Sequence, residues 1–354
     1  MGQRRHVIVL RFSALGDVAL LAPVLRSAVE HNPEVDITLV TRPKFTELFK
    51  SQSSLKTFGA DVSNEFAGLF GLWRLFRTIQ ALHPDVVIDA HDHLRTKILR
   101  FFFFWTNVRV VVFDKGRREK KSIIQQKDKT KVLPLRHTTE RYREAFVRAG
   151  LSVPSISLPP LKKLSSESSV ESALRSISNK RWIGVAPFAA HFTKLWPLKR
   201  FEEVIQELKT ESEVMFLLFG GGKKEKELLD RISSRHTNSV NLTGIFSLDE
   251  ELSVISKLEA MVCVDSANMH LAALSGVPII SIWGGTHVMT GFGPFPNPDH
   301  HIVEIPTEQL SCRPCSVYGL ERCPRRDHAC MQEIDSERVI SAVREVLNKN
   351  SVKS

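Results

Sequence analysis

Two short segments carry residue types that can move a proton or bind a charged group. In the first, Ser13-Ala14-Leu15-Gly16-Asp17 follows an apolar run and precedes a stretch with helical spacing. Exposed N–H groups at a helix N-terminus stabilise a carboxylate, so Asp17 is predicted either to act as a general base or to cap the helix. In the second, a loop at 187–197 presents Thr193 and Lys194. This lysine either stabilises a departing diphosphate, with the threonine hydroxyl as a second donor, or is an exposed loop lysine.

Two further loops of the second half are predicted to approach an anion. The segment 219–225 places three consecutive glycines between a strand and a helix. Backbone N–H groups there can bind a phosphate, although a tight turn alone also accounts for the glycines. The segment 264–270 ends a strand and starts a helix, with Asp265 and Ser266 as caps. His270, one turn inside that helix, either contacts a phosphate or sugar or is a buried structural histidine.

Four of the five cysteines lie close together near the C-terminus, with the spacing C-x2-C-x7-C-x6-C. Only the first pair has the spacing typical of a zinc knuckle. Structural zinc, disulfide bonds and free packed thiols therefore all stay open, and we predict no bound cofactor. The four residues are Cys312, Cys315, Cys323 and Cys330.

The elements that position these segments alternate between apolar strands and amphipathic helices. Such alternation, with strands apolar on both faces, predicts parallel α/β sheets. Strands are predicted at 6–12, 36–40, 85–89, 108–113, 182–186, 214–219, 260–264 and 278–283, and helices at 18–29, 70–82, 198–210, 224–234, 248–258, 269–275 and 336–348.

A polar stretch rich in proline, lysine and serine divides the chain after residue 157. We therefore predict an N-terminal domain at 1–157, a linker at 158–179, a C-terminal domain at 180–335 and a terminal helix and tail at 336–354. Two successive α/β domains predict a cleft, with ligands at the carboxyl ends of the strands.

Charge is concentrated in the first part of the chain. The net charge of the 354 residues is +10, and residues 1–150 hold 26 Lys and Arg against 15 Asp and Glu. This excess favours an anionic partner such as nucleic acid, an anionic membrane or an acidic ligand, the alternative being a solvated basic face. No stretch approaches the roughly 18 apolar residues of a membrane span, so we expect a cytoplasmic protein. The run Phe101–Trp105 is expected to be buried, with a lipid-facing surface as the alternative.

Together these segments resemble the lipopolysaccharide heptosyltransferases of glycosyltransferase family 9. Residues 11–17 are similar to the family's opening R-x-S-x-x-G-D, and 89–95 resembles its strand and basic helix start. Residues 137–142 are similar to H-x-x-x-R-Y, 193–197 to K-x-W-P, and 265–270 to D-[ST]-[GA]-x-x-H. The resemblance covers nearly the whole chain.

The resemblance implies the GT-B fold, with two Rossmann-like domains that face a central cleft. It also implies metal-independent, inverting transfer of heptose from ADP-heptose to an inner-core lipopolysaccharide acceptor linked to lipid A. Asp17 is the implied base, and Lys194 the implied cation at the leaving diphosphate. The implied donor-binding residues are Thr193, Gly221, Gly222, Glu225, Phe246, Asp265, Ser266, Ala267 and His270. The implied acceptor-binding residues are Ser13, Gly16, Arg95, Lys97, Lys115, Arg117 and Arg141.

By the same resemblance the enzyme works at the cytoplasmic face of the inner membrane of a Gram-negative bacterium, in peripheral contact with its anionic surface. A UDP- or GDP-sugar donor is the alternative within the same fold, and a non-catalytic nucleotide-binding protein the alternative outside it. Nucleic acid is not expected as a partner, because the basic residues lack regular aromatic interleaving and any recognisable binding motif.

Overall fold

The computed structural model describes residues 4–154, 167–210, 213–295 and 297–353, and the chain forms two compact units. The first unit comprises Met1–Arg117 and Arg136–Leu158, and the second comprises Arg118–Leu135 and Pro159–Ser354. The segment Arg118–Leu135 thus groups with the second unit, although the sequence places it inside the first domain. Of the predicted linker, residues 158–166 lie outside the described residues.

Contacts within the second unit explain this grouping. The Leu135 amide donates to the Met289 carbonyl at 2.8 Å. The Lys120 ammonium lies 4.2 Å from the ring centroid of Phe292 and 5.5 Å from that of Tyr318. A cation over two aromatic rings is favourable at a partly desolvated site. Because such long-range contacts leave no local pattern in the sequence, the boundary could not be seen there.

The first unit is built on a five-stranded parallel sheet of order β3-β2-β1-β4-β5. Apolar side chains of α2 and α3 pack on one face of the sheet, while α1 and α5 pack together. The elements are β1 (Arg5–Leu10), α1 (Leu15–His31), β2 (Val35–Thr41), β3 (Lys56–Gly59), α2 (Gly68–Gln80), β4 (Val86–Asp89), α3 (Leu94–Phe104), β5 (Arg109–Val112) and α5 (Thr138–Arg148). Helix α4 (Arg117–Gln125) precedes α5 in the chain, but all of it except Arg117 groups with the second unit.

The second unit is built on a six-stranded parallel sheet of order β11-β10-β9-β6-β7-β8. Its elements are α6 (Glu167–Ala173), β6 (Arg181–Ala186), α7 (Leu198–Glu207), β7 (Val214–Leu218), α8 (Gly222–Arg235), β8 (Ser239–Asn241), α9 (Leu248–Ile255), β9 (Ala260–Val264), α10 (Ala267–Leu274), β10 (Ile279–Trp283), β11 (His301–Glu304), α11 (Ala329–Gln332) and α12 (Ser336–Lys353). One core joins the strands to α7, α8, α11 and α12.

Each sheet has one position where the strand order reverses. In the first unit the order runs outward from β1 through β2 to β3 and then restarts at β4, on the other side of β1. In the second, β6 is flanked by β7 and β9 in the same way. Ligands of open parallel sheets bind outside the carboxyl ends of strands at such a switch point. Ligand-binding side chains are therefore expected on the loops after β1 and β4, and on those after β6 and β9.

The predicted strands and helices are all found, with boundaries that differ by a few residues. Strands β3, β8 and β11 were not predicted, because each is a short edge strand of three or four residues without a continuous apolar run. The run Phe101–Trp105 ends helix α3, and of its residues only Phe103 is fully buried. Within the described part of the chain, no helix is both long enough and apolar enough to cross a membrane.

Candidate active site

In the first unit, the loops after β1 and β4 meet at the switch point. The Ser13 hydroxyl lies 3.2 Å from Nε2 of His91, and the Arg11 guanidinium donates to the Ala90 carbonyl at 2.6 Å. Both contacts join the end of one central strand to the end of its neighbour. Side-chain hydrogen bonds therefore link the two loops at the switch point, because the sheet places β1 and β4 side by side.

Asp17 lies in the first turn of α1 and is held by two donors. Its Oδ2 lies 2.5 Å from Nη2 of Arg11 and accepts from the Ala14 amide at 3.2 Å. The amide contact is a helix cap, so the capping interpretation is correct. It does not displace the catalytic one, because 28% of the Asp17 side chain is exposed to solvent. A fixed, partly accessible carboxylate can still accept a proton.

His91, which contacts Ser13, is a neutral group at the same switch point. Burial, together with repulsion from Arg11 and Lys115, lowers the pKa of His91 to about 3. The imidazole can therefore accept or donate one hydrogen bond to Ser13 without adding charge. Asp89, at the end of β4, is fully buried and accepts from the His91 and Asp92 amides at 3.0 and 2.7 Å, and burial raises its pKa.

Three cations surround Asp92, which follows β4 with a φ of 44°. Its carboxylate lies 2.5 Å from Arg117 and 3.2 Å from Arg100, and its carbonyl accepts from the Lys115 ammonium at 2.9 Å. Burial and the nearby Arg11 lower the pKa of Lys115. Positive charge thus exceeds negative charge at this end of the sheet, which favours an anionic ligand.

The other predicted acceptor residues differ in their position and in their exposure to solvent. Gly16 lies in the first turn of α1, and Arg95 and Lys97 lie on α3. Arg141 is only 1% exposed, and its guanidinium contacts Asp114 at 3.5 Å and packs against Gly116. A buried arginine in this position supports the loop that carries Lys115 rather than presenting charge to a ligand.

In the second unit, Lys194 and Asp265 meet across the switch point between β6 and β9. The Lys194 ammonium lies 2.9 Å from Asp265 Oδ2, and their side chains are only 15% and 7% exposed. Thr286, after β10, donates its hydroxyl to the same Oδ2 at 2.8 Å. Three strand ends thus contribute to one polar cluster, with a cation that can turn from a carboxylate to an incoming phosphate.

Thr193 and Ser266 differ in what their hydroxyls can do. Thr193 is buried, and its Oγ1 accepts from the Leu320 amide at 2.8 Å while its backbone amide donates to the Leu320 carbonyl. Its side chain therefore fixes the loop. Ser266 is the N-cap of α10, yet its hydroxyl is buried and makes no hydrogen bond to the described residues. Buried polar atoms are normally satisfied, so a ligand atom fits the Ser266 hydroxyl.

The remaining predicted donor residues lie in the same carboxyl-end region of this sheet. Glu225 Oε2 accepts from the Gly221 amide at 2.6 Å, which orders the glycine loop after β7. Gly222 has a φ of 75°, a conformation that favours glycine. Half-buried Phe246 follows β8, and Ala267 and buried His270 lie on α10.

The cysteines are all free thiols, so the disulfide alternative is not realised. Cys315 donates to the Gly285 carbonyl at 3.4 Å, and burial raises the pKa of the Cys330 thiol to about 12. Among the described residues, no group of three or more His, Cys, Asp or Glu side chains is arranged to hold a metal ion. The absence of a cofactor stays a prediction.

Comparison with known proteins agrees with this architecture. The family model for glycosyltransferase family 9 (heptosyltransferase) matches residues 72–318, about two thirds of the chain. The chain belongs to this family. The family 9 glycosyl transferase of Veillonella parvula has a TM-score of 0.79 at 20% identity over 99% of both chains. The likeness confirms the predicted GT-B fold class.

Two further relatives are informative. Lipooligosaccharide heptosyltransferase 2 of Campylobacter jejuni is 29% identical over 182 residues, 49% of this chain and 53% of that protein. The chain thus spans about half the length of that curated relative. The E. coli heptosyltransferase WaaC, solved with ADP-2-deoxy-2-fluoro heptose, has a TM-score of 0.66 at 18% identity over 98% of this chain and 99% of that one.

Sequence reasoning missed several residues of the family 9 chain that complete these clusters. Arg11 contacts the predicted base, and His91 contacts Ser13 at the same strand ends. Asp92 accepts from Lys115, and Thr286 donates to Asp265. A signal was available, since Asp89-Ala90-His91-Asp92-His93 is a polar run placed directly after an apolar strand.

Proposed function

We propose that this protein transfers heptose from ADP-heptose to an inner-core lipopolysaccharide acceptor linked to lipid A. The observation that carries the proposal is the Lys194–Asp265–Thr286 cluster at the switch point of the second unit, in a chain of glycosyltransferase family 9. The sugar and the acceptor class rest on the relatives, since one acts on lipooligosaccharide by its name and another binds an ADP-heptose analogue.

The second unit would hold the donor. Lys194 would turn from Asp265 to the diphosphate, and the Ser266 hydroxyl, buried without a partner among the described residues, would donate to an oxygen of the donor. The N-terminus of α10 favours negative charge at the same place. The glycine loop ordered by Glu225 leaves backbone N–H groups near the end of β7, where a nucleotide can approach.

The first unit would supply the base. Asp17 would take the proton of the acceptor hydroxyl as its oxygen attacks C1 of the heptose. The bond between C1 and the diphosphate oxygen would break, with inversion at C1 and release of ADP. Lys194 would stabilise the negative charge that develops on the diphosphate. The cations Lys115, Arg117 and Arg100 would attract the acidic sugars of the acceptor.

The proposed location is the cytoplasmic face of the inner membrane of a Gram-negative bacterium, where a lipid-linked acceptor and a nucleotide sugar are both available. A UDP- or GDP-sugar is the competing donor, because the cluster around Lys194 recognises a diphosphate and not a base.

Parallel calorimetric titrations with ADP, UDP and GDP test the donor assignment. We expect selective binding of ADP, and a loss of at least about tenfold in affinity for Lys194→Met, because the cation that would receive the diphosphate is removed. Asp230→Ala, on the exposed face of α8, is the matched control and should bind normally.

Each other outcome has a definite meaning. Preference for UDP or GDP would retain the transferase and discard ADP-heptose. Failure of all three nucleotides to bind would contradict the proposed enzyme.

A further inference from the structure

Helices α2 and α3 of the first unit expose an unusual number of large apolar side chains. Phe70 is 71% exposed, Phe104 76% and Trp105 74%. Large aromatic side chains of a folded domain are usually much more buried than this. We call this surface the aromatic face. Its members are Leu69, Phe70 and Trp73 of α2, and Leu94, Phe101, Phe104 and the C-cap residue Trp105 of α3.

Ring contacts connect the two helices under this face. Phe76 of α2 lies 5.6 Å from Phe102 and 5.0 Å from Phe103 of α3, measured between ring centroids. Phe101 in turn lies 6.5 Å from Trp105. The rings of Phe76 and Phe103 anchor the helices on the sheet, and the exposed rings cluster within each helix rather than standing singly.

An apolar groove continues the aromatic face. It has a volume of about 370 Å³ and lies between α3 and β5, with Phe103, Phe104, Val108, Val110 and Val112 among its lining residues. Strand β5 is the edge strand of the sheet. Apolar surface therefore extends from the helices to the sheet edge.

The charges on these helices have one sign. Helices α2 and α3 contain five basic residues and no acidic residue. Arg74, Arg77 and Lys97 are exposed, and the Arg77 guanidinium lies 5.7 Å from the centre of the Trp73 ring. Arg74 lies 3.6 Å from the exposed carboxylate of Glu65. Exposed cations of one sign mixed with aromatic rings have the chemistry of a surface that contacts anionic lipid headgroups.

We propose that the aromatic face is the surface by which the first unit docks on an anionic phospholipid bilayer. The rings would enter the boundary between headgroups and acyl chains, and the three exposed cations would contact lipid phosphates. The inference rests on the proposed function, in which the acceptor is lipid-linked. It adds the side chains that make the contact.

Co-sedimentation with vesicles tests the docking surface. Wild-type protein is mixed with vesicles of phosphatidylethanolamine and phosphatidylglycerol, and separately with neutral phosphatidylcholine vesicles. We expect preferential binding to the anionic vesicles, and a loss of about tenfold or more in the partition coefficient for Phe104→Ser/Trp105→Ser. Arg77→Gln/Lys97→Gln should lose a similar factor on anionic vesicles alone.

Matched controls separate docking from folding. Leu133→Ser/Ile245→Ser removes two exposed apolar side chains of the second unit, which are 81% and 58% exposed, and should leave vesicle binding unchanged. All variants change exposed positions, so thermal unfolding should stay at the wild-type midpoint. A variant of the aromatic face that binds anionic vesicles like wild type would overturn the proposal.

Two further outcomes are distinguishable. If Phe104→Ser/Trp105→Ser splits an oligomer while wild-type protein ignores vesicles, a second copy covers the face and the proposal fails. If ADP does not bind but vesicle binding follows the expected pattern, the proposed enzyme fails and the docking surface stands.

Discussion

The switch points of the two units each hold an aspartate paired with a cation, but the two pairs differ in burial and in the cation used. Asp17 pairs with Arg11 and keeps 28% of its side chain exposed, whereas Asp265 pairs with Lys194 and is only 7% exposed. The same sheet geometry therefore presents a solvent-accessible carboxylate in the first unit and a buried, ion-paired carboxylate in the second.

The choice of cation follows this difference. Arg11 can donate to Asp17 and to the Ala90 carbonyl at once, because a guanidinium presents several N–H groups in a fixed plane. It holds the carboxylate still and stays in place itself. Lys194 is a point charge on a flexible chain and can exchange Asp265 for a phosphate. An arginine thus suits the unit that fixes a base, and a lysine suits the unit that receives a diphosphate.

The largest expected effect comes from removing the reachable carboxylate. Asp17→Asn keeps the size of the side chain but cannot accept the proton of the acceptor, so we expect kcat to fall by about 10²- to 10⁴-fold. Calorimetry should show ADP affinity close to wild type, because the donor residues lie in the other unit. Glu65→Gln, an exposed change in the same unit, is the control. A kcat within a few-fold of wild type would show that Asp17 is not the base. The greater exposure of Asp17 relative to Asp265 would then have no catalytic meaning.

Breaking the buried pair should instead reduce stability. Lys194→Met leaves the Asp265 carboxylate buried with Thr286 as its remaining side-chain donor, and we expect a loss of about 3 kcal/mol in the free energy of unfolding. Urea denaturation measures this change. Adding Asp265→Asn should restore much of the stability while ADP affinity stays low.

The cycle decides whether the pair is an anchor. If the double variant is as unstable as Lys194→Met alone, the loss does not come from an unpaired Asp265 carboxylate, and the proposed contrast between Lys194 and Arg11 is wrong.

The chemistry-bearing loops could be predicted because each follows a buried strand. Apolar runs mark the strands around Ile8 and Val262. Asp265 follows its strand directly and Asp17 opens the helix after the other, and both were predicted as site residues. Periodicity and capping preferences are local properties, so one sequence is enough to show them.

Partnership between distant residues could not be predicted in the same way. Thr193 was expected to face a ligand, but its hydroxyl bonds the Leu320 amide, 127 residues away. Arg141 was expected to bind the acceptor, but it is buried against Gly116. His91 was overlooked although it touches Ser13. In each case the contact joins residues on separate strands or loops, and the spacing of residues along the sequence cannot predict such a contact.

The smallest predicted effect concerns pH and the buried His91. Its pKa is about 3 in the folded chain against an ordinary value of 6.5, so the unfolded chain binds more protons between these values and stability falls as pH falls from about 6.5 to about 3. At pH 5.5 this linkage destabilises the fold by about 1 kcal/mol relative to pH 8. His91→Gln keeps a polar partner for Ser13 without a titrating group, so urea denaturation should show a stability that declines less between pH 8 and 5.5. The exposed His83→Gln should follow the wild-type curve. An identical decline in His91→Gln would mean that the imidazole is already protonated in the folded chain at pH 5.5, which would contradict a neutral His91 at the switch point.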